Sequence, residues 1–128
     1  MGFRAAFKQL SFPVSIIVNN QRGLTINSLT SFSVNPNLIA FNIYKESPLL
    51  PFKNDFDIYC LQSHHVHVAR HYSRQRHLLD MPEDTIQLRC TLVDKLSVRD
   101  HIMFIAHPHK IRNISGFKSL QHVNSEYQ

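Results

Sequence analysis

The stretch GLTINSLTSFSVNP, residues 23–36, begins and ends as a β-strand but loses the alternation of a strand in its middle. Leu24 and Ile26 lie on one face of an extended chain, whereas Leu29 falls on the other and Phe32 returns to the first. A single straight strand cannot bury all of these side chains in one core. We therefore expect a bend or a bulge here, as in a strand that turns the corner of a barrel.

The polar residues of this stretch are all short, and none carries a charge. They are Thr25, Asn27, Ser28, Thr30, Ser31 and Ser33. Short hydroxyl and amide groups beside free backbone N–H groups can surround an anion or a polar aromatic ring closely. The same side chains could instead serve only to satisfy the backbone of a distorted strand. The pattern alone leaves both interpretations open.

Much of the remaining chain has the two-residue period that is typical of strands. Besides the two ends of the opening stretch, strands are predicted at residues 14–18, 37–44, 56–62, 86–92 and 101–107. The strand at 37–44 is apolar on both faces except for Asn42, which indicates a central strand covered on each side. Short strands at this spacing predict a mainly β fold, an antiparallel barrel with short flanking helices.

Three segments have helical patterns. Residues 3–10 place apolar side chains at i, i+4 and i+7, and Pro13 follows them. Residues 63–73 predict a second helix. Its inner face is expected to carry Val68, Ala69 and Tyr72. A third, short helix is predicted to begin at Ser47 as N-cap, with Pro48 at its first position.

Composition limits the class of protein. The chain has 128 residues, of which 43% are hydrophobic, so a single folded domain over residues 1–128 is expected. No apolar run approaches the roughly 20 residues that a membrane span needs, which predicts a soluble, intracellular protein without a membrane partner. The basic pI of about 9.5 fits a cytoplasmic or a mitochondrial location equally well. Cys60 and Cys90 lie in apolar runs, where free thiols are expected.

The net charge of +5 permits an anionic partner. The densest basic cluster consists of Arg70, His71, Arg74, Arg76 and His77. No pattern of interleaved aromatic residues and glycines accompanies it, so a solvated face is favoured over a nucleic-acid surface. Three histidines recur on adjacent turns of the predicted second helix, namely His64, His67 and His71. Because no HExxH motif is present, we predict no metal site.

Five segments occur in the order seen in the flavin reductase-like family of FMN-binding split barrels. They are FRAAFKQLSFPVSIIV, GLTINSLTSFSVNPNLIAFNI, FDIYCLQSHHVHVARHYS, LRCTL and VRDHIMFIA. The resemblance covers about Phe3 to Ala106, and the tail after about residue 114 matches poorly. It implies an antiparallel split β-barrel and a homodimer that binds FMN, or FAD, near the dimer interface. It also implies transfer of a hydride from NAD(P)H to the flavin.

The resemblance also implies site residues. Those expected along the flavin ring are Thr25, Asn27 and Ser28, followed in the same loop by Ser31 and Ser33. Lys45 and Ser47 match positions that meet the flavin phosphate, where a lysine and a helix N-terminus suit a dianion. His101 matches the histidine of a glycine-aspartate-histidine motif near the nicotinamide, and is the implied catalytic residue.

Arg99 stands where that motif has its glycine, directly before Asp100 and His101. The bulk of an arginine there could reshape the pocket for the reductant. The alternative function is therefore a degenerate split barrel without turnover, which acts as a basic structural or interaction subunit, for example in a ribonucleoprotein.

Overall fold

The structure, a computed structural model, describes residues 2–128 and consists mainly of strands. Its two helices are α1 (Phe3–Lys8) and α2 (Val66–Arg74). The strands are β1 (Phe12–Pro13), β2 (Ser15–Asn19), β3 (Arg22–Ile26), β4 (Thr30–Val34), β5 (Asn37–Tyr44), β6 (Asp55–Cys60), β7 (Ile86–Val98), β8 (His101–Arg112), β9 (Gln121–Val123) and β10 (Glu126–Tyr127). The predicted strands are confirmed, although β7 and β8 continue well beyond the predicted ends.

Every strand pairing is antiparallel, as predicted. The main sheet has seven strands in the order β3-β2-β6-β7-β8-β5-β4, and β1, β9 and β10 form a second sheet. Strands β3 and β4 are the two edges of the main sheet, yet only residues 27–29 separate them along the chain. These residues therefore bring the two edges together and close the sheet into a split barrel.

The expected distortion of the opening stretch is confirmed. The chain leaves β3 after Ile26, turns through residues 27–29, and enters β4, which has a bulge between Ser31 and Ser33. Because of this turn, Leu29 packs against the same core as Ile26, although the two would lie on opposite faces of a straight strand. We call residues 27–31 the corner.

The core consists of two clusters on opposite sides of the main sheet. Inside the barrel lie Ile17, Ile26, Phe41, Ile43, Leu49, Phe56, Ile58, Cys90, Phe104 and Ala106. Outside it, α2 and the C-terminal segment cover Val14, Ile16, Leu61, Val68, Ala69, Tyr72 and Leu120. Both cysteines are free, as predicted, and burial raises the pKa of the Cys90 thiol to about 12.

Helix α2 packs on β3 with the predicted inner face. Val68, Ala69 and Tyr72 are its buried residues. The ring of Tyr72 lies so close to Gly23 that a Cβ on this glycine would collide with it. Glycine is therefore required at position 23 by close packing.

The helix predicted from Ser47 is wrong. The segment after β5 consists of turns, in which the hydroxyl of Ser47 accepts a hydrogen bond from the N–H of Leu49 at 3.2 Å. The two prolines, No helix among the described residues is long and apolar enough to cross a membrane.

Candidate functional site

A cavity of about 740 Å³ lies beside the corner, where the two edges of the sheet meet. It is lined by Phe7, Phe12, Pro13, Asn27, Ser28, Leu29, Thr30, Ser31 and Asn42. Of the residues implied to meet a flavin ring, Asn27, Ser28 and Ser31 lie together in this lining. We call it the corner cavity; its polar groups are all short, and no acidic side chain lines it.

Ser28 fixes the corner to the middle of β5. Its hydroxyl accepts a hydrogen bond from the backbone N–H of Asn42 at 3.0 Å. The side-chain amide of Asn42 makes no hydrogen bond within residues 2–128, and it lines the cavity. The sequence contained a signal for Asn42, since it is the lone polar residue of an otherwise apolar strand.

Thr25 and Ser33 are not part of this cavity. The hydroxyl of Thr25 donates to the carbonyl of Ala69 at 2.7 Å and so joins β3 to α2. Ser33 lies in β4 beyond the bulge and is half-buried. The structure therefore divides the implied ring contacts into three that line the cavity and two that do not.

The outer face of β5 leads from the corner cavity to His101. Residues directly opposite each other in an antiparallel pair point to the same face. Tyr44 is opposite His101, which is in turn opposite Val98, and Asn42 is opposite Met103. Asn42 and Tyr44 are two positions apart, or about 7 Å, along the same face of β5. His101 is therefore on the surface that continues from the cavity.

His101 is held in one orientation by its neighbours. Its Nδ1 lies 2.9 Å from Oδ1 of Asp100, and its ring meets that of Tyr44 edge-on at 5.6 Å between centroids. The hydrogen bond from His101 holds the pKa of Asp100 below its usual value, so this carboxylate stays ionised at neutral pH. Because an ionised carboxylate can only accept, Nδ1 carries the proton, and in the neutral ring Nε2 is a free acceptor.

Lys45 and Ser47 lie outside the corner cavity. The backbone N–H of Lys45 donates to the carbonyl of Asp100 at 2.9 Å, which places Lys45 beside the turn that carries His101. The hydroxyl of Ser47 is engaged with Leu49, as described above. Because no helix begins at Ser47, the expected attraction of a helix N-terminus for phosphate is absent, and the charge of Lys45 is what remains of that argument.

The histidine cluster of α2 differs from the one considered in the sequence. His64, His65 and Asp84 lie together, rather than His64, His67 and His71. Nδ1 of the buried His65 accepts the backbone N–H of Gln62 at 2.9 Å. The neutral ring must then carry its proton on Nε2, which lies 2.9 Å from Oδ1 of Asp84 and donates to it. A ring nitrogen that donates cannot bind a metal, so the trio is best explained as an anchor for the loop before β7.

Solved structures that resemble this chain are flavin reductases. A flavin reductase domain protein from Arthrobacter sp. FB24 superposes with a TM-score of 0.89 at 17% identity, over 98% of this chain and 92% of that one. The flavin reductase of styrene monooxygenase from Pseudomonas putida S12 has a TM-score of 0.85 at 19% identity, over 100% and 96%. The chain has the flavin reductase fold.

A third flavin reductase structure contains ligands. The NADH:FAD oxidoreductase SgcE6 of Streptomyces globisporus, in complex with NAD and FAD fragments, has a TM-score of 0.83 at 20% identity, over 98% of this chain and 88% of that one. Neither a protein-family model nor a curated protein sequence matches this chain. The predicted resemblance to the flavin reductase-like family is thus confirmed by the fold.

The flavin reductase fold explains the strain at Arg99. This residue is the first of the two that connect β7 to β8, and its φ is 53°. A left-handed φ at this position of a two-residue hairpin is the conformation for which glycine is preferred. The arginine therefore keeps the backbone geometry of the expected glycine, and it places a long cationic side chain two residues before His101.

Proposed function

We propose that this chain binds a flavin in the corner cavity and reduces it with NAD(P)H. The observation that carries the proposal is the continuous outer face on which Asn42 of the cavity, Tyr44 and His101 follow one another. The fold adds support, since the similar solved structures are flavin reductases.

The lining of the corner cavity suits the polar edge of a flavin ring. Asn27, Ser28, Ser31 and Asn42 offer amide and hydroxyl groups that can donate and accept, while Leu29 and Phe12 offer apolar contact. The volume lies within the usual range of about 300–1,000 Å³ for a small-molecule site. We propose FMN as the flavin, with its phosphate near Lys45 and Ser47.

His101 acts in this proposal as the residue that positions the reductant. The flavin and the nicotinamide supply the chemistry, in which a hydride with two electrons passes to the flavin and solvent provides the remaining proton. With Nδ1–H held by Asp100, Nε2 of His101 can accept a hydrogen bond from the nicotinamide carboxamide. Tyr44 limits the rotation of the imidazole from the other side.

A second copy of this chain is proposed to cover the outer face. Apolar side chains are exposed there although they flank His101 and the cavity. Tyr44 is 46% exposed, Leu96 is 55% exposed and Val98 is 50% exposed. Burying such a patch between two copies would stabilise a homodimer and enclose the flavin. Sedimentation that shows only monomer at micromolar concentration would contradict both the dimer and the enclosed site.

A visible absorbance spectrum of the purified protein tests the proposal first. We expect a flavin band, and denaturation should release a flavin that chromatography identifies as FMN or FAD. If the protein is purified without flavin, a fluorescence-quenching titration with FMN should saturate. A protein that quenches neither FMN nor FAD would refute the proposal.

One observation favours a second candidate, a flavin-binding module without turnover. Arg99 occupies the position of the family glycine beside His101, where its side chain can obstruct the reductant. The two candidates differ in one measurement, the oxidation of NADH or NADPH by flavin-loaded protein. Binding of flavin without oxidation of either nucleotide would favour the module, and a role as a basic interaction subunit would then be the next to examine.

A further inference from the structure

The corner cavity continues into a second cavity along α1. This one has a volume of about 380 Å³ and lies between α1 and the β9–β10 hairpin. It shares Phe7, Phe12 and Asn27 with the corner cavity, so the two are adjacent. Its lining includes the cationic side chains of Arg4 and Lys8 and no acidic side chain. We call it the α1 groove.

A third cavity, of about 500 Å³, extends the α1 groove to α2. It shares His122 and Ser125 with the groove. The rest of its lining consists of Arg70, Ser73, Arg74, Glu126 and Tyr127. We call it the arginine cleft. A contact between Nδ2 of Asn27 and Nδ1 of His122, at 3.1 Å, marks the junction between the corner and this end of the groove.

The charges along this path suit an extended anion. Arg70 and Arg74 are one helical turn apart on the solvent face of α2 and make no ion pair within the described residues 2–128. Glu126 is the one carboxylate that lines the three cavities. Two unpaired guanidinium groups on one helix face can bind a phosphate with charge-assisted hydrogen bonds.

Tyr127 supplies an aromatic surface in the same cleft. Its ring centroid lies 5.4 Å from that of His122, which faces both the groove and the cleft. The path thus offers, in order, a polar cavity, a pair of cations, an aromatic pair and a second pair of cations. A nicotinamide dinucleotide phosphate has matching parts in the same order: the nicotinamide, the diphosphate, the adenine and the 2′-phosphate.

We propose that the α1 groove and the arginine cleft bind the adenosine half of the reductant, and that Arg70 and Arg74 hold its 2′-phosphate. The chain therefore uses NADPH in preference to NADH. This proposal rests on the proposed function and names its reductant. Arginine beside the ribose is a known means of accepting the 2′-phosphate, and NADH has no group to occupy it.

The direct test compares two small probes that need no flavin. Adenosine 2′,5′-bisphosphate and ADP both carry two phosphate groups, but only the first has a phosphate on the 2′ position. Isothermal titration at low salt should show at least tenfold tighter binding of the 2′,5′-bisphosphate to the wild type. Equal affinities, or binding of neither probe, would overturn the proposal.

Two variants assign the preference to the cleft. Arg70→Ala/Arg74→Ala should bring the two affinities within about twofold of each other, whereas Glu126→Gln should strengthen binding of the 2′,5′-bisphosphate because a repulsive charge is removed. Lys110→Ala removes an exposed cation of β8 outside the three cavities and should leave the ratio unchanged. An unchanged ratio in a double variant with a wild-type melting curve would overturn the proposal.

Flavin titration separates this proposal from the proposed function. The double variant should quench FMN fluorescence as the wild type does, because the arginine cleft lies outside the corner cavity. If wild-type protein binds the 2′,5′-bisphosphate selectively but binds no flavin, the cleft stands and the proposed function fails. If it binds flavin but shows no preference between the probes, the proposed function stands and the cleft assignment fails.

Discussion

The hydroxyl of Ser28 accepts the backbone N–H of Asn42 at 3.0 Å and thereby fastens the corner to the middle of β5. Without this contact, nothing but residues 27–29 and the ladder of β4 would hold the edge of the sheet in place beside the cavity. The bond thus connects the closure of the barrel to the shape of the candidate site.

Ser28→Ala tests this connection. Loss of the acceptor should lower the free energy of unfolding by about 1 kcal/mol, the usual contribution of one hydrogen bond. Flavin affinity should fall as well, because the corner is less well held. Urea denaturation and fluorescence quenching measure the two effects, with Ser115→Ala in an exposed turn as the control. A variant with wild-type stability and affinity would show that Ser28 is dispensable.

Gly23→Ala tests the packing of α2 on β3. A Cβ at this position would stand 2.3 Å from Cε1 of Tyr72, so the ring or the helix must move. Overpacking of this kind costs about 1–3 kcal/mol. Gly2→Ala is the matched control, since a Cβ there meets nothing within 4 Å. Thermal melting should show a loss for the first variant and no change for the second.

The left-handed backbone at Arg99 predicts an unusual gain from a glycine. Arg99→Gly should stabilise the fold by up to about 1 kcal/mol, because a residue with a Cβ is strained at a φ of 53°. Gly116→Ala is the reciprocal change at a φ of 69° in open space, and it should destabilise by a similar amount. We also expect Arg99→Gly to raise NADPH oxidation. A less stable Arg99→Gly protein would contradict the account of the turn.

Lys45→Ala and His101→Ala should impair different properties. Removing a charge-assisted contact to the flavin phosphate should weaken FMN binding by roughly 1.5–3 kcal/mol, or about ten-fold to a hundred-fold. His101→Ala should leave FMN affinity nearly unchanged and lower kcat or raise KM for the nicotinamide. Quenching titrations and steady-state kinetics separate the two effects. The same loss of FMN affinity in both variants would contradict the assigned roles.

The alternation of local residues was enough to predict the parts of the fold that depend on it. The conflicting faces of Ile26 and Leu29 indicated the corner, and the 3.6-residue period of α2 indicated its buried face with Tyr72. The error at Ser47 arose because a favourable cap and a proline at N1 were given more weight than the second proline, Pro51, which does not allow the helix to continue.

The features that escaped prediction depend on contacts between residues far apart in the chain. The bond from Thr25 to Ala69 takes a hydroxyl away from the site, and the contact from Asn27 to His122 brings the tail against the corner. Neither partner has a local signal that names the other. The α1 groove could not be foreseen for the same reason, since α1 and the β9–β10 hairpin come from opposite ends of the sequence.

Titration of the purified protein with FMN, followed by its fluorescence, tests the central claim most directly. The wild type should quench flavin fluorescence to saturation, and Asn42→Leu should bind at least tenfold more weakly, because it replaces the amide of Asn42 that lines the cavity on β5 by an apolar group of similar size. Leu78→Ala, at an exposed side chain far from the corner in the sequence and outside the lining, should bind as the wild type does. If the wild type leaves the fluorescence of both FMN and FAD unchanged, the hydroxyl and amide groups of residues 23–36 serve only the barrel corner, and the functional account is contradicted.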